Sequence, residues 1–196
     1  MNSKLILASS SPRRVWILQK FGYEFEVIPP ENVREKPQKI EDTILLAEMK
    51  ALSIKREDSL VLACDTIVVV QNQILGKPSS FEEAKKFIRQ LSGRWHEVYT
   101  GYVIVAKNQM IKKIVKTRVK FSKLHDDEIM TLLKYDNVLD KAGAYGIQGL
   151  AGLFIEKIEG SYYNVVGLPI EFIYRDLKSV GVTPVWEKLK NSGKFL

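Results

Sequence analysis

The chain has 196 residues, 30 Lys and Arg against 23 Asp and Glu, a net charge of +7 and a hydrophobic share of 45%. That apolar share supports a packed core and excludes disorder as the main state. The length fits one domain over residues 1–196 and allows that domain to be built as two lobes. Its single cysteine, Cys64, excludes an internal disulfide and argues against a cysteine zinc site. No apolar run approaches the about 20 residues of a membrane helix. Met1 leads into a short apolar strand without a signal segment, so the expected location is cytoplasmic.

In chain order, Lys4 to Ser9 reads as a buried strand. A helix then runs to about Lys20, with Ser11 as N-cap and Pro12 at the first helical position. Tyr23 to Ile28 is a second strand, and Pro29 to Pro37 a polar loop bounded by prolines. Asp42 to about Lys55 is helical, its apolar stripe made by Ile44, Leu45, Ala47, Ala51 and Leu52. Leu60 to Val70 is a strand rich in β-branched residues. Ser80-Phe-Glu-Glu83 is a capping box opening a helix that runs to Gly93. Trp95 to Ala106 and Met110 to Phe121 form a hairpin across Lys107-Asn108-Gln109. Asp126 caps a short helix through Leu133, and Gly152 to Ile158 is another strand. Pro169 to Val180 is a helix closed by Gly181, and residues 182–196 form a tail. Alternating strands and helices around a central hairpin predict an α/β fold with a mixed sheet.

The net charge has an address. From Val98 to His125 there is no acidic residue and there are seven basic ones: Lys107, Lys112, Lys113, Lys116, Arg118, Lys120 and Lys123. Lys112, Lys116, Arg118 and Lys120 alternate with Ile111, Val115, Val119 and Phe121, the period of a half-exposed strand. Basic strands also resist edge-to-edge aggregation. No aromatic residues interleave the basic face, so it makes a poor single-strand stacking platform. Nucleic acid is therefore not the expected partner.

Three segments carry candidate chemistry. Ser9-Ser-Ser-Pro-Arg-Arg14 stands between a strand and a helix, where unpaired N–H groups and the positive dipole end favour anions. Ser9 and Ser11 add hydroxyl donors, and Arg13 and Arg14 add forks suited to phosphate. The same residues also describe a capped helix with two surface arginines. Asp65 breaks an apolar strand, where a carboxylate is costly unless paired or bound to a metal. It is placed to act as a general base or metal ligand. In Asp140-Lys-Ala-Gly-Ala-Tyr-Gly-Ile-Gln-Gly149, three glycines suit a loop packed against a ligand or a tight turn. Gln148 offers the donor and acceptor that a uracil or thymine edge requires.

With Leu46-Ala-Glu-Met-Lys-Ala51, Gly76-Lys-Pro78, Leu91-Ser-Gly93 and Gly160-Ser-Tyr-Tyr-Asn-Val-Val-Gly-Leu-Pro169, these segments stand in the order found in the Maf family. The chain resembles those septum-formation-inhibitor-like nucleotide pyrophosphatases from about residue 4 to residue 180. The resemblance implies an elongated mixed β-sheet flanked by helices, with two lobes about a central cleft, similar to the inosine-triphosphatase group. It implies a homodimer that hydrolyses dTTP and UTP, with modified pyrimidine triphosphates as further substrates, to monophosphate and pyrophosphate. It also implies a divalent cation, Mg2+, Mn2+ or Co2+.

Carried over by motif, Asp65 is the catalytic base and, with Glu35, holds the metal. Arg13, Lys50 and Lys77 bind phosphate, while Arg13, Thr66 and Gln148 set base preference. Leu45 departs from the family pattern where relatives often carry an arginine. Ala63-Cys64 replaces Gly-Ala, and Glu31 is an alternative to Glu35. The competing reading is a basic nucleic-acid-binding or cell-division regulatory protein with a decayed nucleotide site.

Overall fold

A computed structural model describes residues 4–31, 33, 37–54, 59–107 and 109–191. Glu35 and the hairpin residue Asn108 lie outside the described residues. Seven strands form one mixed sheet: β1 (Lys4–Ala8), β2 (Glu26–Val27), β3 (Ser59–Val70), β4 (Gln73–Leu75), β5 (Trp95–Val105), β6 (Met110–Phe121) and β7 (Ile155–Glu159). Their order is β2-β1-β3-β5-β6-β7, with β4 beside the far end of β3. The helices are α1 (Pro12–Lys20), α2 (Asp42–Ser53), α3 (Phe81–Leu91), α4 (Asp126–Tyr135), α5 (Tyr162–Val166), α6 (Ile170–Ser179) and α7 (Val185–Asn191).

Parity along the strands divides the core. Leu5, Leu7, Leu60, Leu62 and Cys64 pack with α1 and α6 through Ile17, Leu18, Ile173 and Leu177. Ile6, Ala8, Val61 and Ala63 face the other way, against Ala47 and Ala51 of α2. A sheet covered on both faces reads as a continuous apolar run, which is why the first half of β3 shows no alternation. At its other end, Val68 and Val70 join a separate core with α3, α4 and Phe121. Three long strands thus carry two differently packed halves.

The structure revises several sequence readings. The second strand is only Glu26–Val27, and the strand expected from Gly152 is a 3₁₀ segment, Leu150–Phe154, followed by β7. Glycine at 152 suits the turn, since a Cβ there would meet the Ile147 carbonyl at 2.7 Å. On α2 the buried face is Thr43, Leu46, Ala47 and Ala51, whereas Leu45 and Leu52 are exposed. Ser80 caps α3 by accepting from the Glu83 N–H, but the Glu83 carboxylate turns to the N–H and hydroxyl of Ser79. The tail contains α7, whose Trp186 indole donates to the Phe21 carbonyl.

Among the described residues, four of the seven basic residues on this hairpin segment are paired with carboxylates from other elements. Lys112 pairs with Glu48, Lys113 with Asp176, Lys116 with Glu97 and Arg118 with Glu159. Arg118 also lies over the Trp95 ring at 4.5 Å. A face with most of its charges matched offers less to a nucleic acid backbone.

One close approach fixes the height of α2 over the sheet. A Cβ on Gly101 would lie 2.6 Å from the Thr43 carbonyl carbon and 2.7 Å from the Ile44 nitrogen. Gly101 pairs in register with Asp65, so this contact sits beside the polar break in β3. Gly101→Ala is expected to cost about 2 kcal/mol through overpacking. Urea denaturation checks this, and an unchanged midpoint contradicts the packing.

Candidate active site

The pairing of β3 leaves a gap. β1 runs parallel to it only as far as Ala8 opposite Ala63, and β4 covers it only from Val68, opposite Leu75, to Val70. From Cys64 to Ile67 the strand is paired on the β5 side alone in that register. The cleft opens at this gap. It encloses about 320 Å3 and is lined by residues 8–14, Lys50, Asp65, Thr66, Lys77, residues 140–142, Tyr145, Gly146 and residues 165–167, among others. β1 ends and α1 begins at its rim, so the first-turn N–H groups of α1, which have no carbonyl of their own helix to bond, belong to this wall.

An open strand edge lets side chains from both faces border one space. Asp65 lies on the α2 face, where its carboxylate is ion-paired with the Lys50 ammonium. The Lys50 value is lowered: burial outweighs the Asp65 charge that supports the cation, and Arg14 and Lys77 push the same way as burial. Thr66 lies on the opposite face, its hydroxyl 3.0 Å from that of Thr100.

The two arginines take different positions. Arg14 donates from Nε to the Gly167 carbonyl at 2.9 Å, from Nη1 to Ser9 Oγ at 3.3 Å and from Nη2 to Thr66 Oγ1 at 3.2 Å. It ties α1, the turn after β1, β3 and the C-terminal end of α5 together, much of its donor capacity spent on the protein. Arg13 crosses the cleft to Asp140, donating to Oδ2 at 3.0 Å and to the main-chain carbonyl at 3.3 Å. Arginine has five N–H donors, so this pairing still leaves Arg13 others for a ligand. Burial works against ionised Asp140, but Lys141 and Arg13 outweigh it and hold the carboxyl below its ordinary value.

Ser9 Oγ also accepts from the Ser11 N–H at 3.1 Å, and the Ser11 side chain makes no capping bond. Lys77 lines the cleft and is exposed. Gln148 is exposed and does not line the cleft; nor does Glu31, which is exposed as well. Glu35, the metal ligand expected from the resemblance, lies outside the described residues. Cys64, next to Asp65, is fully buried and its thiol is pushed up to about 11 by burial, which keeps it neutral.

The sequence reading passed over several lining groups. Asp140 and Lys141 open the glycine segment and were legible there only as its first residues. Tyr145 lines the cleft, and its buried hydroxyl lies 2.7 Å from His96 Nε2. Behind the cleft, Thr100 carried no motif, and Asn164 stood in the Gly160–Pro169 segment with no role assigned to it. Among the described lining residues Arg13, Arg14, Lys50, Lys77 and Lys141 face only Asp65 and Asp140. A concave surface with that excess of cations beside a helix N-terminus suits a small polyanion.

A mixed α/β sheet opened at one strand edge onto a cationic cleft thus defines the class of protein. Its relatives narrow the class further. A family model described as Maf-like protein matches residues 4–180. A dTTP/UTP pyrophosphatase of Thermosipho melanesiensis is 46% identical over 174 residues, covering 87% of this chain and 94% of the relative. A dTTP/UTP pyrophosphatase of Bacillus cereus is 42% identical over 184 residues, covering 91% of this chain and 96% of the relative. Another, of Bacillus anthracis, matches to the same extent. This chain belongs to the Maf family.

Burial lowers the His96 value from 6.5 to about 4. Between those values the unfolded chain binds a proton that the native state does not, so stability is full above about pH 6.5 and falls as pH drops toward 4. The loss reaches about 3 kcal/mol, since each tenfold difference in proton affinity is worth about 1.4 kcal/mol. Urea midpoints at about pH 7 and pH 4.5 should therefore fall further apart in the wild-type protein than in His96→Gln. Equal drops in both proteins contradict a neutral buried imidazole.

Proposed function

We propose that this chain hydrolyses dTTP and UTP to the nucleoside monophosphate and pyrophosphate. The observation that carries the proposal is the paired Asp65 and Lys50 at the open edge of β3, inside a cleft where cations outnumber carboxylates. The names of relatives matched over nearly their whole length support the same reaction. Modified pyrimidine triphosphates are further candidates of the same chemistry.

In this reading Asp65 is the general base and takes a proton from the water that attacks the α-phosphorus. The bond between that phosphorus and the oxygen bridging to the β-phosphate breaks, and pyrophosphate leaves. Charge gathers on phosphate oxygens in such transfers, so catalysis is mostly positioning and neutralisation. Lys50, Lys77 and Arg13 supply cations, and the first turn of α1 with Ser11 supplies N–H and hydroxyl donors. Ser9 and Arg14 hold that turn against Thr66 and Gly167, and Arg14 adds its charge. Thr66 and Arg13 take part in base choice. Gln148 draws no support for that role from the cleft, which it does not line.

The donor set fits a hard divalent cation. Such ions take oxygen ligands and bind through one or two carboxylates together with substrate phosphates. Among the described residues no group of three His, Cys, Asp or Glu could hold a metal by itself, which suits a cation shared with the triphosphate. Asp65 would hold it, its Oδ2 free of the Lys50 contact made at Oδ1, with Glu35 as the proposed second carboxylate. When bound, the cation supplies charge neutralisation and a more acidic water.

The enzyme is proposed to be a cytoplasmic homodimer, an assembly that analytical ultracentrifugation checks. No helix among the described residues is long and apolar enough to cross a membrane. The deciding experiment is a pyrophosphate-release screen over standard and modified triphosphates with magnesium, manganese and cobalt in turn. dTTP and UTP should give the highest turnover, lost on chelation. Asp65→Asn should lower kcat about a thousandfold while nucleotide still binds with metal. An Asn variant close to wild type removes Asp65 as the base.

A further inference from the structure

Thr66 and Thr100 stand directly opposite each other across β3 and β5, with hydroxyl oxygens 3.0 Å apart. That distance alone leaves the donor undecided, but the neighbours decide it. Arg14 Nη2 donates to Thr66 Oγ1 at 3.2 Å, and a guanidinium has no lone pair to accept in return. On the other side, Thr100 Oγ1 lies 3.2 Å from the main-chain carbonyl of Asn164, which can only accept. Thr100 is fully buried, so its proton goes to one of these two oxygens.

Only one assignment makes both bonds. Thr100 donates to the Asn164 carbonyl, and Thr66 donates to Thr100. The carbonyl also accepts from the Gly167 N–H at 3.0 Å. In the reversed assignment it keeps that bond but meets the Thr100 oxygen lone pair to lone pair at 3.2 Å in a buried place, where the lost bond is costly. The carbonyl cannot turn away, because Asn164 is itself pinned. Its Nδ2 donates to the Val98 carbonyl at 3.1 Å and to Thr117 Oγ1 at 3.0 Å, and its N–H donates to Ser161 Oγ at 2.9 Å.

We propose that Thr100, which does not line the cleft, is a specificity-determining positioning residue that holds the Thr66 proton turned inward. Thr66 lines the cleft. A hydroxyl has one proton and two lone pairs. With the proton given to Thr100 and one lone pair to Arg14, what Thr66 has left for a ligand is a single lone pair. It accepts and does not donate. Uracil and thymine carry an N3–H donor, which such an oxygen receives. Cytosine carries a lone pair at N3, which it repels. The ordered hydroxyl chain therefore selects keto pyrimidines. This rests on the reading of Thr66 as a base-selecting residue in the proposed dTTP/UTP pyrophosphatase.

The test is the ratio of kcat/KM for UTP over CTP. Thr100→Val keeps the side chain's shape and removes its oxygen, which frees the Thr66 proton to turn toward the cleft. The ratio should fall about tenfold, the weight of one buried hydrogen bond, and Thr100→Ser should restore it. A purely structural role lowers kcat/KM for both nucleotides together and leaves the ratio in place. Thr100→Ala reads the same ratio if the valine variant does not fold.

A ratio in Thr100→Val within twofold of wild type overturns the proposal. Thr66→Val separates the levels. If it changes the ratio while Thr100→Val does not, Thr66 reads the base without direction from Thr100. If it leaves the ratio unchanged, the base-selecting role of Thr66 falls and the proposal with it. Wild-type protein that releases no pyrophosphate from UTP removes the reaction itself.

Discussion

The site depends on a gap in strand pairing. β3 is twelve residues long, but β1 covers only its start on one side and β4 only its end. Between them the strand keeps its β5 partner and loses the other. A strand edge inside a sheet normally invites another chain; here the end of β1, the start of α1 and the loop from Asp140 close around it. Because the edge is open, successive residues with opposite orientations reach the same space. Asp65 arrives from the α2 face and Thr66 from the face of α1 and α5, which no fully paired strand would allow.

Burying ionised groups beside that edge is costly unless each is matched. The matches set the geometry. Lys50 reaches Asp65 from a helix whose first turn sits directly on Gly101, the register partner of Asp65. A larger residue there would lift α2 and the ammonium with it. Arg14 takes acceptors from Ser9 just after β1, from β3 and from the end of α5, so the first turn of α1 is fixed to the open strand edge and to the segment behind it. Arg13 joins the two sides of the cleft through Asp140. A polyanion entering between these groups meets cations already held in place, and less ordering entropy is lost on binding.

Much of this was legible in the sequence, for physical reasons that differ from residue to residue. Asp65 was visible because a carboxylate in an apolar strand has few explanations, and Pro12 because proline suits a first helical turn. Net charge says little as a whole-chain number. Of its seven residues on one hairpin segment, four pair with Glu48, Glu97, Glu159 and Asp176, which come from other elements. No local pattern announces such pairs. For the same reason Leu45 and Leu52 were expected in the stripe of α2 and are exposed, since the helix turns its small residues, Ala47 and Ala51, to a sheet that approaches closely. Gly152 lost its strand to a 3₁₀ turn because the neighbouring Ile147 carbonyl leaves no room for a side chain. Asp140 and Asn164 stood in segments already singled out, but their roles, like that of Thr100, come through long-range contacts that periodicity and spacing do not show.

The two faces of β3 divide the proposed work in a way that follows from charge. On the α2 face, interactions between full charges dominate. They act over several ångströms and tolerate small displacements, as positioning a flexible triphosphate requires. On the other face the groups are neutral hydroxyls and a carbonyl, whose interactions depend on where one proton points. Direction of that kind is lost to solvent unless the chain of donors and acceptors ends on something immobile. Asn164 provides that end, because its side chain and main chain are tied to β5, to β6 and to the loop before α5. The Gly160–Pro169 segment, which brings Asn164 beneath the sheet, also ends α5 at Gly167, whose left-handed backbone (φ +111°) lets its carbonyl meet Arg14. One short segment thus fixes both the cation that leans on Thr66 and the carbonyl that orders the hydroxyls behind it, and the polarity presented to a base is set by the fold rather than by the ligand.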